Sequence, residues 1–334
     1  MTTNPPSILV DRFGRIVNYL RVSITDRCDF RCVYCMSEDM TFLPRAQILS
    51  LEEIETVCRA FVALGVDKIR ITGGEPLVRK GALDLLRAIG RLPGLRELVL
   101  TTNGSHLETM AGELKTAGVK RINISLDTLD AALFKQMTRV GDLNTVLRGI
   151  DAVIAAGFQR IKLNAVILKN RNHQEIGNLV AFAIAKHIDI SFIEEMPLGV
   201  IDSHNRAEEY YASDRIKADL ERQFTLLPDE TNTGGPAKYF QVAGSSTKVG
   251  FISPHSHNFC GDCNRVRLTA EGRLLLCLGN EHSVDLKQVL RANPDDLDAV
   301  KSAIIASMQI KPEKHEFDLK EQPVIFRHMS ATGG

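Results

Sequence analysis

The sequence lacks an excess of charge of either sign. Its 334 residues contain 41 Lys and Arg and 41 Asp and Glu, so the formal net charge is zero. A protein without a global positive field does not hold a nucleic-acid backbone across its surface, and an anionic ligand has to be bound at a local site. The sequence also lacks an apolar run that approaches the length of a membrane span, and its first residues do not resemble a cleavable leader. We therefore expect a cytoplasmic protein with no nucleic-acid partner and no membrane partner.

Cysteine is present in an informative arrangement. The reducing cytosol and the size of the chain disfavour disulfides. Six of the seven cysteines form two triplets, Cys28/Cys32/Cys35 and Cys260/Cys263/Cys277, and the seventh, Cys58, stands alone. Cys58 belongs to a segment, 51–64, whose apolar residues have helical spacing, so we expect it to pack in the core. The two triplets remain as candidate metal sites.

Strand-like and helix-like segments alternate from about residue 19 to residue 225. Strand candidates begin near Leu20, Lys68, Leu98, Arg121, Ile161 and Ile190. Helical periodicity occupies 51–64, 82–90, 107–117, 144–156 and 175–186. This alternation predicts an α/β fold with a parallel sheet built from about six βα units.

The strand candidates alternate between apolar and polar residues, although strands of a parallel sheet usually read as continuous apolar runs. The polar positions are Arg21, Ser23, Thr25, Arg70, Thr72, Thr101, Asn123, Ser125, Lys162 and Asn164. In a complete eight-stranded barrel such positions would carry branched apolar side chains. We therefore predict an incomplete (βα)6 TIM-type barrel over residues 1–225, with an open polar lumen. The alternative is an open doubly wound sheet.

The pattern changes after about residue 225, where a Gly/Pro-containing stretch leads into short strand-like pieces and the second triplet. Helical segments follow from about 284 to 309. We predict that residues 226–334 form a smaller α+β extension that packs on the barrel and covers its mouth.

The first triplet has the spacing CxxxCxxC just after the first predicted strand. Three thiolates in one short loop can surround one metal centre. A structural zinc site normally has four protein ligands, whereas a 4Fe-4S cluster held by three cysteines leaves one iron open. With Tyr34 directly before the last cysteine, the motif resembles that of the radical SAM superfamily. The resemblance implies that the open iron binds S-adenosylmethionine (SAM), which is cleaved to methionine and a 5'-deoxyadenosyl radical.

The segment ITGGEPL follows the second predicted strand. Two glycines permit a close approach of backbone to a ligand, and an adjacent carboxylate can receive an ammonium group. The resemblance implies that this segment contacts the methionyl part of SAM. By the same resemblance the SAM-binding residues are Tyr34, Gly74, Glu75, Ser125 and Met196.

The second triplet, Cys260, Cys263 and Cys277, again offers three thiols. His255 or His257 can supply a fourth ligand and complete a zinc site. The other interpretation is a second cluster with an open iron, which can act as a Lewis acid on a heteroatom of the substrate. Both interpretations remain open on spacing alone.

Arginines accompany the second triplet. Arg265 and Arg267 are two residues apart in a predicted strand, so they lie on one face and can bind an anion together. Arg21, Arg70 and Lys162 belong to the polar face of the predicted barrel. Five cations around the central cavity of a neutral protein indicate a multiply charged ligand such as a triphosphate.

Nearly the whole chain resembles, within the superfamily, the radical SAM enzymes that cyclise GTP in the first step of molybdenum cofactor biosynthesis. The resemblance rests on LRVSITDRC, FLP, KIRITGGEPLVR, LTTNG, RINISLDTLD, FIEEM, FCGDCNRVRL and the terminal Gly-Gly. It implies a lyase with two 4Fe-4S clusters, in which the radical takes hydrogen from the ribose 3' carbon of GTP. The ribose carbon then bonds to carbon 8 of guanine, which the second cluster holds.

The same resemblance implies which residues bind GTP, with Arg265 and Arg267 also catalytic. The implied GTP-binding set is Arg21, Arg70, Thr101, Lys162, Arg265, Val266 and Arg267. Many relatives carry arginine in the sixth strand where this chain has Ser191, so we expect weakened or rearranged phosphate binding. Gly333 and Gly334 are expected to reach into the active site.

The resemblance further implies partners. They are an electron donor such as a flavodoxin or ferredoxin, cyclic pyranopterin monophosphate synthase as the next enzyme, and a second copy in a homodimer. The sequence is also compatible with two other functions. One is a peptide-modifying radical SAM enzyme with an auxiliary cluster, and the other is a non-catalytic zinc-binding protein.

Overall fold

The structure is a computed structural model that describes residues 8–199, 201, 205–317, 325 and 327–333. Within these residues we find no helix with the length and apolar character needed to cross a bilayer. The described strands form one twelve-stranded mixed sheet. Its centre consists of the strands that the sequence predicted.

Six parallel strands occupy the centre of the sheet in the order of the chain. They are β1 (Tyr19–Ser23), β2 (Lys68–Thr72), β3 (Glu97–Thr102), β4 (Arg121–Ser125), β5 (Ile161–Val166) and β6 (Asp189–Ile193). All six predicted strands are confirmed. A doubly wound sheet reverses its strand order at a switch point, and this order has no reversal, so that alternative is wrong.

Helices connect the central strands, as the βα pattern predicted. They are α1 (Leu51–Ala63), α2 (Ala82–Gly90), α3 (Leu107–Thr116), α4 (Ala131–Thr138), α5 (Leu143–Ala155) and α6 (Ile176–Ala185). Two further helices, α7 (Arg206–Glu209) and α8 (Ser213–Leu220), follow β6. Helix α1 begins with a capping box, in which Ser50 Oγ accepts from the Glu53 backbone N–H (3.1 Å) and Glu53 Oε2 accepts from the Ser50 N–H (2.7 Å). Cys58 is fully buried in α1, which confirms its predicted place in the core.

The segment after residue 225 extends both edges of the sheet instead of only packing on it. Strands β7 (Leu226–Asp229), β8 (Lys238–Val242) and β9 (Lys248–Ile252) continue beyond β6, and β10 (Arg265–Leu268), β11 (Arg273–Leu275) and β12 (Ser283–Asp285) continue beyond β1. β9 is parallel to β6 and β10 is parallel to β1, whereas the outer pairs are antiparallel. This pairing was not predicted, because each strand is short and its partner is distant in sequence.

The last described elements are helices α9 (Leu286–Ala292), α10 (Leu297–Ser307) and α11 (Met329–Thr332). Helix α10 packs against α1, and α11 lies close to β1. The end of the chain therefore returns to the first βα unit.

The two faces of the central sheet differ in chemistry. The helix-facing side is an apolar core that includes Leu20, Ile69, Leu100, Ile122 and Ile190. On the opposite face Arg70 is 6% exposed and Lys162 is 8% exposed, although both side chains are ionisable. This face lines a central cavity, which explains why the strands alternate and confirms the predicted polar interior.

Candidate functional site

The first cysteine triplet lies in the loop after β1. The backbone N–H groups of Arg31 and Val33 donate to the carbonyls of Thr138 and Met137, at 3.0 and 2.9 Å, so the loop is fixed to the end of α4. Within the loop, the Cys35 N–H donates to the Cys32 carbonyl at 3.0 Å. All three thiols are partly buried and free of disulfides.

Burial and negative neighbours act on these thiols. Burial raises the pKa of Cys28, and the charges of Glu75 and Asp29 add to the rise. Burial likewise raises the pKa of Cys32 and takes that of Cys35 to about 12, with Asp127 contributing to both. Ionisation of these thiols therefore needs a positive centre among them, which iron would supply.

Hydrogen-bond donors point at the sulfurs of the first triplet. Cys28 Sγ accepts from the Phe30 backbone N–H at 3.4 Å and from Asn103 Nδ2 at 3.8 Å. The Ser330 backbone N–H donates to Cys35. Donors of this kind stabilise thiolate ligands of iron–sulfur clusters. The loop thus fits a cluster held by three cysteines.

The GGEP segment packs directly on the cysteine loop. The Gly74 and Glu75 N–H groups donate to the carbonyls of Thr25 and Arg27 at 2.7 and 2.8 Å. A Cβ at Gly74 would lie 2.3 Å from the Arg27 carbonyl oxygen. The close approach that glycine permits here is therefore to the cysteine loop, whereas the sequence interpretation had assigned it to a ligand.

Glu75 is fully buried, and burial raises its pKa to about 8. Its carboxylate accepts from the Leu77 N–H (3.0 Å), the Thr102 hydroxyl (2.9 Å) and the Asn103 N–H (2.7 Å). Protein donors therefore fix the orientation of this carboxylate beside the first triplet.

Of the other predicted SAM residues, Tyr34 belongs to the cysteine loop, whereas Met196 lies at the central cavity. Tyr34 donates its hydroxyl to Asp127 Oδ2 at 2.7 Å, and Asp127 Oδ1 accepts from the Val166 N–H at 2.9 Å. Met196, in the loop after β6, lines the central cavity. Ser125 ends β4 and stands opposite Asn164, which also lines the cavity. These positions connect the cysteine loop to the cavity.

The second triplet is assembled by two segments of the C-terminal region. Cys260 and Cys263 precede β10 and Cys277 follows β11, and the antiparallel pairing of these strands brings the ends together. All three thiols line the central cavity. The three thiols thus share one cavity wall, and their role as cluster ligands stays a prediction.

Cations act on the second triplet. Burial raises the pKa of Cys263, but the charges of Arg265 and Lys311 outweigh it and bring the pKa to about 7. Lys311 Nζ lies 3.7 Å from Cys263 Sγ. Burial raises the pKa of Cys277, and Lys311 opposes the rise. A thiolate ligand is therefore favoured at Cys263.

The two histidines proposed as a fourth zinc ligand have other partners. His255 Nε2 pairs with the Glu195 carbonyl oxygen at 2.9 Å. His257 Nε2 lies 2.7 Å from Asp214 Oδ1 at an exposed position. Among the described His, Cys, Asp and Glu side chains, no group of three converges to hold a single metal ion. Cysteines that bind a 4Fe-4S cluster contact different irons, so they need not converge in this way.

The predicted cations converge on the cavity. Arg21, Arg70, Lys162, Arg265 and Arg267 all line it, as does Val266. The strand register explains this, because Arg21 stands opposite both Arg70 and Arg267. Burial, and then the charge of Arg267, lower the pKa of Arg21. Burial and the charge of Arg265 lower the pKa of Arg267 to about 10.

Lys68 is a sixth cation on this wall, and sequence analysis omitted it. It lies two residues before Arg70 in β2, and that spacing was the signal that could have identified it. Its ammonium lies 3.0 Å from Glu97 Oε2 and donates to the Thr233 carbonyl at 2.6 Å.

Neutral groups accept many of the hydrogen bonds from the other cations. Arg70 donates through Nε to the Tyr19 hydroxyl and through Nη1 to Thr101 Oγ1 at 2.7 Å. Lys162 Nζ donates to the Tyr239 hydroxyl at 3.1 Å. Burial raises the pKa of Tyr19, but the charges of Arg70, Arg21 and Lys68 lower it to about 7. The cavity therefore favours an anion.

The end of the chain also meets these arginines. The Gly333 carbonyl oxygen accepts from Arg267 Nη1 at 2.6 Å and from Arg21 Nη2 at 3.4 Å. Gly333 thus contacts two of the arginines that line the cavity, and a role for it in the active site stays a prediction. Gly334 lies outside the described residues.

Ser191, in place of the arginine expected in β6, is fully buried. In the described part of the chain its hydroxyl has no hydrogen-bond partner. A Cβ at Gly250, its neighbour on β9, would lie 2.5 Å from Ser191 Oγ and 2.9 Å from the Tyr239 ring. A longer side chain at 191 would therefore have to share this space with Tyr239, whose hydroxyl pairs with Lys162.

Comparison with known proteins assigns the chain to a family. Residues 22–183 match the Radical SAM superfamily model, and residues 188–317 match the Molybdenum Cofactor Synthesis C model. The GTP 3',8-cyclase of Pseudomonas putida (strain W619) is 61% identical over 327 residues, which cover 98% of each chain. The chain belongs to the GTP 3',8-cyclase family. The GTP 3',8-cyclase of Saccharophagus degradans is 57% identical over 328 residues, covering 98% of this chain and 99% of that one.

Membership of the GTP 3',8-cyclase family makes this chain a radical SAM enzyme of molybdenum cofactor biosynthesis, with SAM and 4Fe-4S clusters as cofactors. Among solved structures, Streptococcus suis SuiB bound to S-adenosylmethionine aligns with a TM-score of 0.63 and 16% identity, covering 96% of this chain and 79% of SuiB. SuiB bound to the precursor peptide SuiA gives a TM-score of 0.62. At that identity the likeness shows a shared α/β fold, and it lends no support to a peptide substrate.

Proposed function

We propose that this protein converts GTP to (8S)-3',8-cyclo-7,8-dihydroguanosine 5'-triphosphate, using SAM as the source of the radical. The observation that carries the proposal is the single cavity lined by the second cysteine triplet and by cations from four strands. These cations are Arg21, Lys68, Arg70, Lys162, Arg265 and Arg267. Glu97 pairs with Lys68, but Arg70 and Lys162 donate to phenol and hydroxyl oxygens, and a triphosphate would supply the negative charge that these partners lack.

The first triplet would hold the cluster that binds SAM. When bound there, a 4Fe-4S cluster supplies the electron that cleaves SAM to methionine and a 5'-deoxyadenosyl radical. Tyr34, Gly74, Glu75, Ser125 and Met196 bind SAM in this proposal. The fixed Glu75 carboxylate and the packed GGEP segment orient its methionyl end toward the cysteine loop.

The second triplet would hold a cluster whose open iron acts as a Lewis acid toward guanine. Arg21, Arg70 and Lys162 bind the phosphates, with Thr101 holding the Arg70 guanidinium in place. Arg265, Val266 and Arg267 line the wall between the phosphates and the second triplet, where the two arginines are the catalytic cations. Tyr239 keeps Lys162 on the cavity wall, close to Ser191, the position at which the family resemblance implies arginine in many relatives.

In the reaction, a hydrogen atom moves from C3' of the ribose to the 5'-deoxyadenosyl radical and yields 5'-deoxyadenosine. The C3' radical bonds to C8 of guanine, and one electron and one proton complete the product. The protein has to hold C3' and C8 in one orientation while excluding water. Binding of the nucleotide at both its phosphates and its base serves that requirement.

We also propose how the two parts of the chain are arranged and which partners the protein has. Because residues of β1, β2, β4, β5 and β6 line one cavity, we infer that the six central strands curve into an incomplete (βα)6 barrel, with residues 1–225 forming it and residues 226–334 closing its mouth. We further propose a cytoplasmic homodimer that receives electrons from a flavodoxin or ferredoxin. Its product would pass to cyclic pyranopterin monophosphate synthase.

The test uses protein reconstituted with iron and sulfide under anaerobic conditions. We expect about eight irons per chain, which corresponds to two 4Fe-4S clusters. With dithionite, SAM and GTP it should form 5'-deoxyadenosine and a cyclised guanosine triphosphate. Formation of 5'-deoxyadenosine that is no faster with GTP than with ATP would refute the substrate assignment.

A further inference from the structure

Lys311 is a buried lysine beside the second triplet, and the reaction described above gives it no role. It follows a short 3-10 helix, Met308–Ile310, that continues from α10, and it is only 1% exposed. Its ammonium donates to the Leu276 carbonyl at 2.9 Å and to Cys263 Sγ at 3.7 Å. A buried ammonium is costly unless a negative group compensates it. Among the described carboxylates none forms an ion pair with Lys311, so its negative partner is the Cys263 thiolate.

Other contacts hold the Lys311 segment against the cysteine loop. Arg15 Nη1 donates to the carbonyls of Cys260 and Glu313, at 2.8 and 2.7 Å, and Nη2 donates to that of Pro312 at 2.7 Å. Asp11 pairs with Arg15 Nε at 2.6 Å. One buried arginine thus joins the segment after Lys311 to the second triplet, which fixes the lysine close to the sulfur.

The first triplet has no equivalent contact among the described residues. There, neutral amides donate to Cys28 Sγ, and Asp29 Oδ1 lies 3.9 Å from the same sulfur. The two sites therefore differ in the charged group that contacts a sulfur, which is the Asp29 carboxylate at Cys28 and the Lys311 ammonium at Cys263.

We propose that Lys311 is a positioning residue for the second cluster, and that its ammonium compensates the Cys263 thiolate and holds that cluster at a more positive reduction potential. The inference rests on the proposed function, because it requires a cluster at the second triplet. Three thiolate ligands leave an oxidised 4Fe-4S centre with net negative charge, and nearby charge and hydrogen bonds to sulfur set its potential. Compensation also leaves the open iron a stronger Lewis acid toward a guanine heteroatom.

The experiment compares Lys311→Met, which removes the charge and keeps an unbranched side chain, with Lys311→Arg, which keeps the charge. Lys314→Met is the matched control, since Lys314 is exposed on the same segment. Each reconstituted holoenzyme is assayed for iron and sulfide and titrated redox-potentiometrically by electron paramagnetic resonance. The signal that GTP perturbs reports the second cluster, and the signal that SAM perturbs reports the first.

We expect Lys311→Met to shift the second cluster to a more negative potential and to leave the first cluster unchanged. Lys311→Arg and Lys314→Met should match the wild type. An unchanged second potential in a Lys311→Met protein with both clusters would overturn the inference. If Lys311→Met loses the second cluster, retention of it at the wild-type potential by Lys311→Arg supports the inference, and loss in both variants overturns it. Wild-type protein with only about four irons would instead refute the proposed function.

Discussion

The first cysteine triplet lies among carboxylates, whereas the second lies among cations. Burial is the main reason why the pKa values of the first three thiols are raised, and Asp29, Glu75 and Asp127 add to the rise, whereas at Cys263 the charges of Arg265 and Lys311 outweigh burial and lower the pKa. A buried site with a carboxylate 3.9 Å from one sulfur disfavours an added electron, so a reduced cluster there is a strong reductant. Positive surroundings suit a site that binds electron-rich groups of a substrate. The same three-thiol ligand set can therefore serve two different reactions.

The largest expected effect comes from removing the first site alone. Cys28→Ala should abolish 5'-deoxyadenosine formation, because it removes a ligand of the cluster that cleaves SAM, and about four irons should remain at the second triplet. Iron analysis and chromatography of the nucleoside test this. Cys58→Ala is the control, since that buried thiol lies in α1 and should leave both clusters in place. Loss of all iron from Cys28→Ala would show that the two sites do not assemble independently.

The reciprocal change, Cys277→Ala, should separate the two reactions. We expect the second cluster to be lost and some SAM cleavage to persist, with no cyclised nucleotide formed. The measurement is the ratio of cyclised product to 5'-deoxyadenosine, which should fall to nearly zero. A ratio equal to that of the wild type would mean that the second triplet does not bind the substrate.

A smaller effect is expected at the phosphate side of the cavity. Arg70→Met removes a charged donor that Tyr19 and Thr101 hold in place, and a hydrogen bond to a charged group contributes about 1.5–3 kcal/mol. GTP binding should weaken about 10- to 150-fold, whereas SAM binding should not change. Equilibrium dialysis with each ligand tests the difference, with the exposed Arg87→Met as control. Equal loss of SAM and GTP binding would contradict the assignment of Arg70 to the phosphates.

The smallest effect is expected for Tyr239→Phe. The hydroxyl accepts from Lys162, and loss of one such hydrogen bond costs about 0.5–1.5 kcal/mol. The KM for GTP should rise about two- to tenfold with little change in kcat, because Lys162 is then less well oriented. Tyr211→Phe is the comparison, since its hydroxyl also donates a partly buried hydrogen bond, to Asp219, and Tyr211 does not line the cavity. A fall in kcat without a change in KM would place Tyr239 nearer the reacting atoms than we propose.

Local patterns in the sequence were sufficient to predict the central strands, most connecting helices and both triplets. Apolar and polar residues alternate strongly along these strands. The pairing of β1 with β2 and β10 then places Arg21, Arg70 and Arg267 side by side. Helix α4 was not predicted, because it has only eight residues and its apolar stripe is short. The predicted partial barrel remains an inference from the shared cavity.

The omitted site residues depend on contacts between distant segments. Lys311 contacts Cys263 only after α10 has packed on α1, and no motif links the two residues. In the sequence, Tyr19 and Tyr239 are typical aromatic residues of β-strands. Only the fold shows that the hydroxyl of each accepts a hydrogen bond from a cation. The spacing of residues in the sequence can identify metal ligands that share one loop. It cannot identify the charged side chains from distant segments that contact those ligands in the folded protein.

The pairing of β1 with β10 has a consequence for synthesis of the protein. Tyr19 stands opposite Arg265, so β1 is synthesised long before the strand that covers its outer edge. Contacts between residues so far apart in sequence slow folding, and an uncovered strand edge promotes aggregation. The second triplet is completed only by Cys277, which emerges later still. Assembly of the second triplet thus depends on the same long-range pairing, and the uncovered edge of β1 has to be kept from aggregating until β10 has been synthesised.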